Sequence, residues 1–341
     1  VKFVDRTFNC RHDHAMAIWT YIHEHDNGIT NFHFEVSADL LNEKEIALIN
    51  RMRPGLIQLE IGVQSANEIT IREINRTMKI DVLSTIVDKI KKGNNVHQHL
   101  DLIAGLPYEG YESFGKSFDR VYKMNPEQLQ LGFLKVLKGS VMHDRAQEYG
   151  IVYQDRAPYE VLSTKWLTYA EVIRLKQIEE MVEVYYNSGQ FCCTMAALEQ
   201  EFASPFCMYE CLAAYYDEKN AFAVSHSRIG RYEILYDFIV KTCKERSEQY
   251  MEMLTLDMYL RDNVKKRPEF LRESGVSSDE AAAFYKKEEK ERTYLKAYEG
   301  YDRRQMRKMT HLERIDGKTV LFDYKNRDPL TGNAAIYYLS E

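Results

Sequence analysis

Cysteine is scarce in this sequence, and no apolar run is long enough to span a membrane. The six cysteines are scattered among 341 residues, at positions 10, 192, 193, 207, 211 and 243. That spacing argues against a disulfide scaffold and fits a reducing cytosol. The longest apolar runs fall far short of the roughly 20 residues of a membrane span, and no signal peptide opens the chain. These absences predict a cytoplasmic protein with no membrane partner.

Clustered positive charge is also lacking. The formal net charge is −6, and no basic stripe runs through the first half. Phosphate binding requires clustered Lys and Arg, so this argues against nucleic acid as the main partner. An apolar fraction of 45% over 341 residues permits a large core and two or three domains. The chain opens at Val1, in the middle of a predicted strand, so we expect it to be part of a longer protein.

Strand-like and helix-like segments alternate over the first 137 residues. The pattern predicts strands over 2–8, 31–36, 56–62, 96–103 and 128–137, and helices over 13–26, 42–51, 81–92 and 111–124. Short links between alternating segments are typical of a parallel sheet with helices outside it. The predicted class is therefore α/β, as a partial (βα) TIM-like barrel or an open sheet.

The pattern changes after residue 158 and becomes almost entirely helical as far as Met309. Residues 171–186 and 233–253 are examples of the predicted helices, and residues 320–324 and 335–339 predict a β-hairpin around a turn. The predicted domains are a partial barrel over 1–157, a helical domain over 158–310 and a hairpin tail over 311–341.

Polar side chains stand at the ends of successive predicted strands. Glu35, Gln64 and Asp101 occupy these positions, and Arg76 follows the Gly62-Val63-Gln64-Ser65 junction by a helix-compatible segment. Parallel sheets bind ligands at the carboxyl ends of their strands. Two carboxylates and an amide suit ribose hydroxyls or an amino group, and an arginine suits a carboxylate. Together they predict a site for a zwitterionic, nucleoside-like ligand.

Several segments in order resemble the later part of a radical S-adenosylmethionine (radical SAM) barrel. The similar segments are residues 3–8, 32–36, 59–65 with Asn75-Arg76, and Asp101-Leu102-Ile103-Ala104-Gly105-Leu106-Pro107, the last being like the fifth strand of coproporphyrinogen-dehydrogenase-like members. The resemblance covers roughly residues 1–155. It implies that Gln64 and Asp101 hold the ribose of SAM, that Arg76 binds the methionine carboxylate, and that Glu35 lies beside the ligand.

The resemblance also implies a contact to the methionine amino group near Asp5 and Thr7, although the family's usual Gly-Gly-Glu is absent there. It implies a [4Fe–4S] cluster held by Cys-x3-Cys-x2-Cys, and the sequence contains no such triplet. Cys207 and Cys211 fall in a helical region and read as buried apolar residues. We therefore expect the cluster cysteines upstream of Val1, with no metal ligand and no catalysis in this chain alone.

Residues 1–9 and 131–140 resemble the cobalamin-associated branch, which includes anaerobic magnesium-protoporphyrin monomethyl ester oxidative cyclases. The helical region resembles a carboxyl-terminal domain of uncharacterised function found there. The implied complete enzyme would take electrons from a donor such as flavodoxin or ferredoxin, cleave SAM to a 5′-deoxyadenosyl radical, and oxidise, cyclise or methylate a small organic substrate, with tetrapyrroles among the candidates. Cobalamin is an implied second cofactor.

Two alternatives remain open from the residues themselves. His97, His99 and Asp101 alternate on one strand, so they share a face and could form the metal site of a hydrolase or lyase. Alternatively, the helical half could be a non-catalytic docking module on a barrel scaffold. The joint presence of Gln64, Arg76 and Asp101 argues against a pure scaffold.

Overall fold

The computed structural model describes residues 1–264 and 266–339, which divide into two compact units. The first unit comprises residues 1–187 and 202–214, and the second comprises residues 188–201 and 215–341. The predicted domain boundaries at 157/158 and 310/311 stay predictions. Among the described residues, no helix has both the length and the apolar character needed to cross a bilayer.

The first unit is built on a four-stranded parallel sheet. Its strands are β1 (Phe32–Val36), β2 (Ile57–Gln64), β3 (His97–Ala104) and β4 (Gln128–Phe133), which pair in the order β1-β2-β3-β4. Between and after them lie α1 (His12–Glu24), α2 (Glu43–Ile49), α3 (Glu68–Glu73), α4 (Ile80–Lys91), α5 (Tyr111–Tyr122) and α6 (Val141–Asp144). An order that follows the sequence without reversal is the order of a barrel, so the predicted α/β class is confirmed.

Four further elements follow the sheet in the first part of the chain. Two short antiparallel strands are β5 (Val152–Tyr153) and β6 (Val161–Ser163). Next come α7 (Tyr169–Val182), which continues as a π turn over Glu183–Asn187, and α9 (Pro205–Glu218), which follows α8 (Cys192–Leu198) in the sequence. Residues 202–214, which include most of α9, are grouped with the sheet.

The sheet has one apolar face and one polar face. On β2, the residues at 57, 59, 61 and 63 are buried, whereas those at 58, 60, 62 and 64 are half-buried. The buried set continues through Phe34 on β1 and Leu100 and Leu102 on β3, all fully buried. Because side chains alternate across a strand, the helices cover the apolar set and the polar set shares the opposite face.

The strand predicted over residues 2–8 is wrong beyond its first residues. Only Lys2 pairs with β1, through His33, and residues Phe8–Cys10 form a 3₁₀ turn. The rings of Phe3 and Phe8 both contact the ring of Phe34, with centroid distances of 4.6 and 4.5 Å. The chain must bend to bring both rings onto one partner, and this packing outweighs the strand-like alternation.

The second unit combines helices with a small antiparallel sheet. Its helices are α8 (Cys192–Leu198), α10 (Arg228–Thr242), α11 (Ser247–Arg261), α12 (Ser278–Glu291) and α13 (Arg303–Met309), and its strands are β7 (Thr310–Ile315), β8 (Lys318–Arg327) and β9 (Ala334–Tyr338). The helix predicted over 233–253 is in fact two helices, which are separated by a non-helical Cys243 and a 3₁₀ turn.

The predicted carboxyl-terminal hairpin corresponds to β8 and β9, which are two strands of a three-stranded sheet with the order β7-β8-β9. Strand β7 was missed. Asp316 and Gly317 link β7 to β8 with φ values of 48° and 71°, and Asp-Gly with positive φ at both positions is the preferred two-residue hairpin turn. That dipeptide was the available sequence signal for the missing strand.

This turn gives a test of the second unit. Replacing Gly317 with alanine forces a side chain into the left-handed region, which should lower the free energy of unfolding by about 1 kcal/mol. The matched control is Gly230→Ala in α10, where alanine is the better helix former and the added Cβ meets only ordinary contacts. Urea unfolding of both variants checks this, and equal effects would contradict the turn assignment.

Candidate functional site

The carboxyl end of β2 is tied to the middle of β3 by one carboxylate. Asp101 on β3 accepts hydrogen bonds from the Val63 backbone N–H (3.1 Å) and from Gln64 Nε2 (2.8 Å). The pairing of β2 with β3 shifts register between Gly62 and Gln64, and Gln64 has a φ of 69°. This bulge re-aims the glutamine side chain toward the neighbouring strand.

Burial dominates the electrostatics of Asp101. Desolvation raises the pKa of its carboxyl to about 6, although the hydrogen bonds from Val63 and Gln64 and the charge of Arg76 act in the opposite direction. A carboxyl that titrates near neutral pH on a buried strand is a common feature of functional sites.

Arg76 joins this pair by crossing back over the strand. Its Nη1 donates to the Gly62 carbonyl at 2.9 Å. A Cβ on Gly62 would lie 3.1 Å from Gln64 Nε2 and 3.3 Å from Arg76 Nη1. Glycine therefore leaves the space in which the amide and the guanidinium approach the strand. The structure brings together Gln64, Asp101 and Arg76, as the sequence predicts.

Glu35 lies on the same face, one strand further along. It pairs in register with Glu60 of β2. Burial, followed by the charge of Glu60, raises the pKa of Glu35, whereas Lys2, Arg76 and Arg6 act to lower it. Asp5 and Thr7 lie in the segment between Lys2 and the 3₁₀ turn, with Asp5 exposed and Thr7 half-buried. Neither forms a hydrogen bond or ion pair with Gln64, Asp101 or Arg76 in the part of the chain that the structure describes.

A buried network holds the loop that follows Gln64. Glu109 accepts hydrogen bonds from the hydroxyls of Ser65 (2.7 Å) and Ser117 (2.6 Å), and Ser117 Oγ in turn accepts from the Ala66 N–H at 3.0 Å. Burial raises the pKa of Glu109. Sequence reasoning missed Glu109, because it follows the Leu-Pro turn after β3 and meets its partners only through folding.

Glu60 and His33 were also missed. His33 Nε2 lies 2.8 Å from Glu60 Oε2, and Lys2 Nζ lies 3.4 Å from the same oxygen. Burial alone would raise the pKa of Glu60, but Lys2, His99 and His33 hold it below its ordinary value. The alternation of Gln58, Glu60, Gly62 and Gln64 along β2 was the signal that could have identified Glu60.

The predicted metal site is not supported. His97, His99 and Asp101 do share one face, but among the described residues no group of three His, Cys, Asp or Glu side chains is arranged to hold a metal ion. Burial lowers the pKa of both histidines. Cys207 and Cys211 are free thiols of intermediate exposure, so they are less buried than the sequence predicts.

Fold and side-chain geometry together define an α/β protein with a cluster of polar side chains on one face of its parallel sheet. The chain belongs to the family described as "Protein of unknown function (DUF4080)", whose model matches residues 147–329.

Curated relatives match a different share of the chain. The oxygen-independent coproporphyrinogen III oxidase of Salmonella typhimurium is 29% identical over 107 residues, which cover 30% of this chain and 23% of that enzyme. The oxygen-independent coproporphyrinogen-III oxidase-like protein HemZ of Bacillus subtilis is 28% identical over 119 residues, covering 33% of this chain and 22% of that protein. The chain thus spans less than a quarter of the length of these relatives.

Two solved structures also overlap with part of the chain. Coproporphyrinogen III oxidase (HemN) from Escherichia coli, a radical SAM enzyme, gives a TM-score of 0.31 at 21% identity, over 36% of this chain and 28% of that one. The radical S-adenosylmethionine methyltransferase TsrM from Kitasatospora setae, with cobalamin and a [4Fe-4S] cluster bound, gives a TM-score of 0.39 at 12% identity, over 49% of this chain and 34% of that one.

The raised pKa of Asp101 predicts a pH-dependent contribution to stability. The folded chain binds this proton more tightly than the unfolded chain, so the contribution is complete below the unfolded pKa near 3.8 and is lost as the pH rises through about 6. Asp101→Asn should remove this dependence, so wild type should gain on the order of 2 kcal/mol relative to the variant between pH 7.5 and 4. Urea unfolding at a series of pH values measures the difference.

The control is Asp13→Asn at an exposed position of α1. Its unfolding free energy should follow that of wild type at every pH. A difference between wild type and Asp101→Asn that stays constant with pH would contradict the proposed burial of the charge.

Proposed function

We propose that this chain supplies the SAM-binding part of a radical SAM enzyme. In this proposal, Gln64 and Asp101 bind the ribose hydroxyls, Arg76 binds the methionine carboxylate, and Glu35 lies beside the ligand. The observation that carries the proposal is the joining of Gln64, Asp101 and Arg76 around the glycine at position 62. Asp5 and Thr7 belong to the proposal as contacts to the methionine amino group.

The chemistry of these side chains suits the ligand. A ribose diol needs paired acceptors and donors, which the Asp101 carboxylate and the Gln64 amide provide on adjacent strands. A zwitterionic amino acid needs a guanidinium for its carboxylate, and Arg76 has donors beyond the one that binds Gly62. Site residues on a rigid parallel sheet also lose little entropy when the ligand binds.

SAM, bound together with a reduced [4Fe–4S] cluster, supplies one-electron chemistry on organic substrates. The described residues offer no ligand set for that cluster, and the sequence has no Cys-x3-Cys-x2-Cys, so no step through the cluster is assigned to this chain. The role of the chain is to bind and orient the nucleoside. Asp101 does so as a carboxylate above about pH 6, where it can accept hydrogen bonds from both ribose hydroxyls.

The wider reaction remains part of the same proposal. The cluster ligands, a cobalamin site and the contact with an electron donor such as flavodoxin or ferredoxin would belong to the complete cytoplasmic enzyme. Its reaction would be the oxidation, cyclisation or methylation of a small molecule. The named activity of the similar coproporphyrinogen oxidases supports an organic substrate of the tetrapyrrole type as one candidate. No observation favours the metal hydrolase or the docking module.

Binding of S-adenosylhomocysteine to the purified chain tests the proposal. Gln64→Ala and Arg76→Ala should each weaken binding by roughly 1–3 kcal/mol, because each leaves a polar group of the ligand unpaired. Isothermal titration calorimetry of folded variants measures this as a loss of roughly 5- to 150-fold in affinity.

The matched controls are Gln58→Ala, six residues before Gln64 on the same face of β2, and Arg72→Ala, an exposed arginine paired with Glu68. Both should bind as wild type does. The assignment is wrong if Gln64→Ala and Arg76→Ala also retain wild-type affinity, or if folded wild type shows no saturable binding.

A further inference from the structure

Five side chains on the polar face lie nearer the amino ends of the strands than Gln64 and Asp101 do. We call His33, Glu35, Glu60, His97 and His99 the inner polar cluster. The strand register places Glu35 beside Glu60 and Glu60 beside His99. His99 precedes Asp101 by two residues, so the cluster begins roughly 7 Å further down the sheet.

Two imidazole nitrogens of this cluster have no partner. His97 Nε2 and His99 Nε2 are both buried and lack a hydrogen bond among the described residues, and His99 as a whole is only 7% exposed. A buried polar group without a partner destabilises the folded chain, because it has lost its hydrogen bonds to water. Two such atoms on one face of a sheet are better explained by a ligand than by packing, because packing would leave both costs in place.

The third unpaired group is a carboxyl. Glu35 makes no hydrogen bond or ion pair with any side chain in the described part of the chain, although burial keeps it half-covered. Glu60, in contrast, is engaged by His33 and Lys2. The groups left for a ligand are thus the Glu35 carboxyl and the ring nitrogens of His97 and His99.

The charge around these groups favours a positive ligand. Burial disfavours the protonated form of both histidines, so their rings are neutral near pH 7 and their Nε2 atoms can accept a hydrogen bond. Neutral rings offer no charge to an anion. The carboxyls of Glu35, Glu60 and Asp101 lie within the face, whereas the nearby cations Lys2 and Arg76 are exposed and therefore screened by solvent.

We propose that the inner polar cluster binds a cationic N–H donor, an ammonium or amidinium group, of an organic molecule. Glu35 supplies the counter-charge, and His97 and His99 accept hydrogen bonds through Nε2. The proposal of a binding site itself rests only on the unpaired groups of Glu35, His97 and His99. Only its identification as the substrate site rests on the proposed function, since the cluster lies next to the residues that would hold SAM.

The test uses the full chain labelled with ¹⁵N-histidine and n-propylammonium chloride as the probe. Long-range ¹H–¹⁵N spectra at pH 7.5 report the ring nitrogens directly, and His97→Gln and His99→Gln assign them. Propylammonium should shift both resonances saturably, and sodium propionate at equal ionic strength should bind at least ten-fold more weakly. Equal responses to the two probes, or no saturable response to propylammonium, would overturn the proposal.

Glu35→Gln keeps the size of the side chain and removes its charge, so propylammonium should bind about 5- to 10-fold more weakly to this variant. The control is His25→Gln at an exposed position that bonds only to the Tyr21 carbonyl in α1, and it should leave the affinity unchanged. If Glu35→Gln binds propylammonium with wild-type affinity, Glu35 is not the counter-charge and the proposed site is wrong.

A final titration with propylammonium is made in saturating S-adenosylhomocysteine. The ammonium group of that nucleoside is the other ammonium that could occupy the inner polar cluster. A retained propylammonium response supports a separate site for the substrate. Displacement by S-adenosylhomocysteine assigns the cluster to the amino acid end of the nucleoside and overturns the substrate site. Binding of propylammonium without any binding of S-adenosylhomocysteine would refute the proposed function and leave the ammonium site intact.

Discussion

The hydrogen bonds to the Asp101 carboxylate are the interaction on which the site depends. They connect the carboxyl end of β2 to the middle of β3 through one side chain, and they are possible only because the register of β2 shifts between Gly62 and Gln64. A regular strand would turn the Gln64 side chain away from β3 or leave the Val63 N–H in the ladder. The bulge replaces one position of the ladder by the polar pair of Gln64 and Asp101 on one face of the sheet.

A parallel sheet is usually apolar on both faces, because helices cover both. Here the polar face carries half-buried carboxylates and imidazoles on three of its four strands. The apolar face supplies the burial that stabilises the sheet. The residues of the polar face are therefore not required for packing of the core. The partly unpaired polar groups of the polar face are a cost that the apolar face and the ladder hydrogen bonds offset.

The sequence predicts what depends on local pattern. The alternation predicts four of the strands and the α/β class. Positions at or after the strand ends predict Gln64, Asp101 and Arg76 as site residues. The sequence did not predict Glu109, because Ser65 and Ser117 are 44 and 8 residues away and meet it only in the fold. It also misjudged residues 2–8, where the packing of Phe3 and Phe8 on Phe34 overrides the alternation. Tertiary contacts of this kind have no signature in a single segment.

The charges on the polar face are coupled, and this coupling gives the two proposed sites a common physical basis. Glu35, Glu60 and Asp101 lie on adjacent strands, and the charge of Glu60 acts to raise the pKa of both of the others. A cation bound at Glu35 would favour ionisation of all three carboxyls. It would therefore help Asp101 to act as an acceptor for ribose hydroxyls.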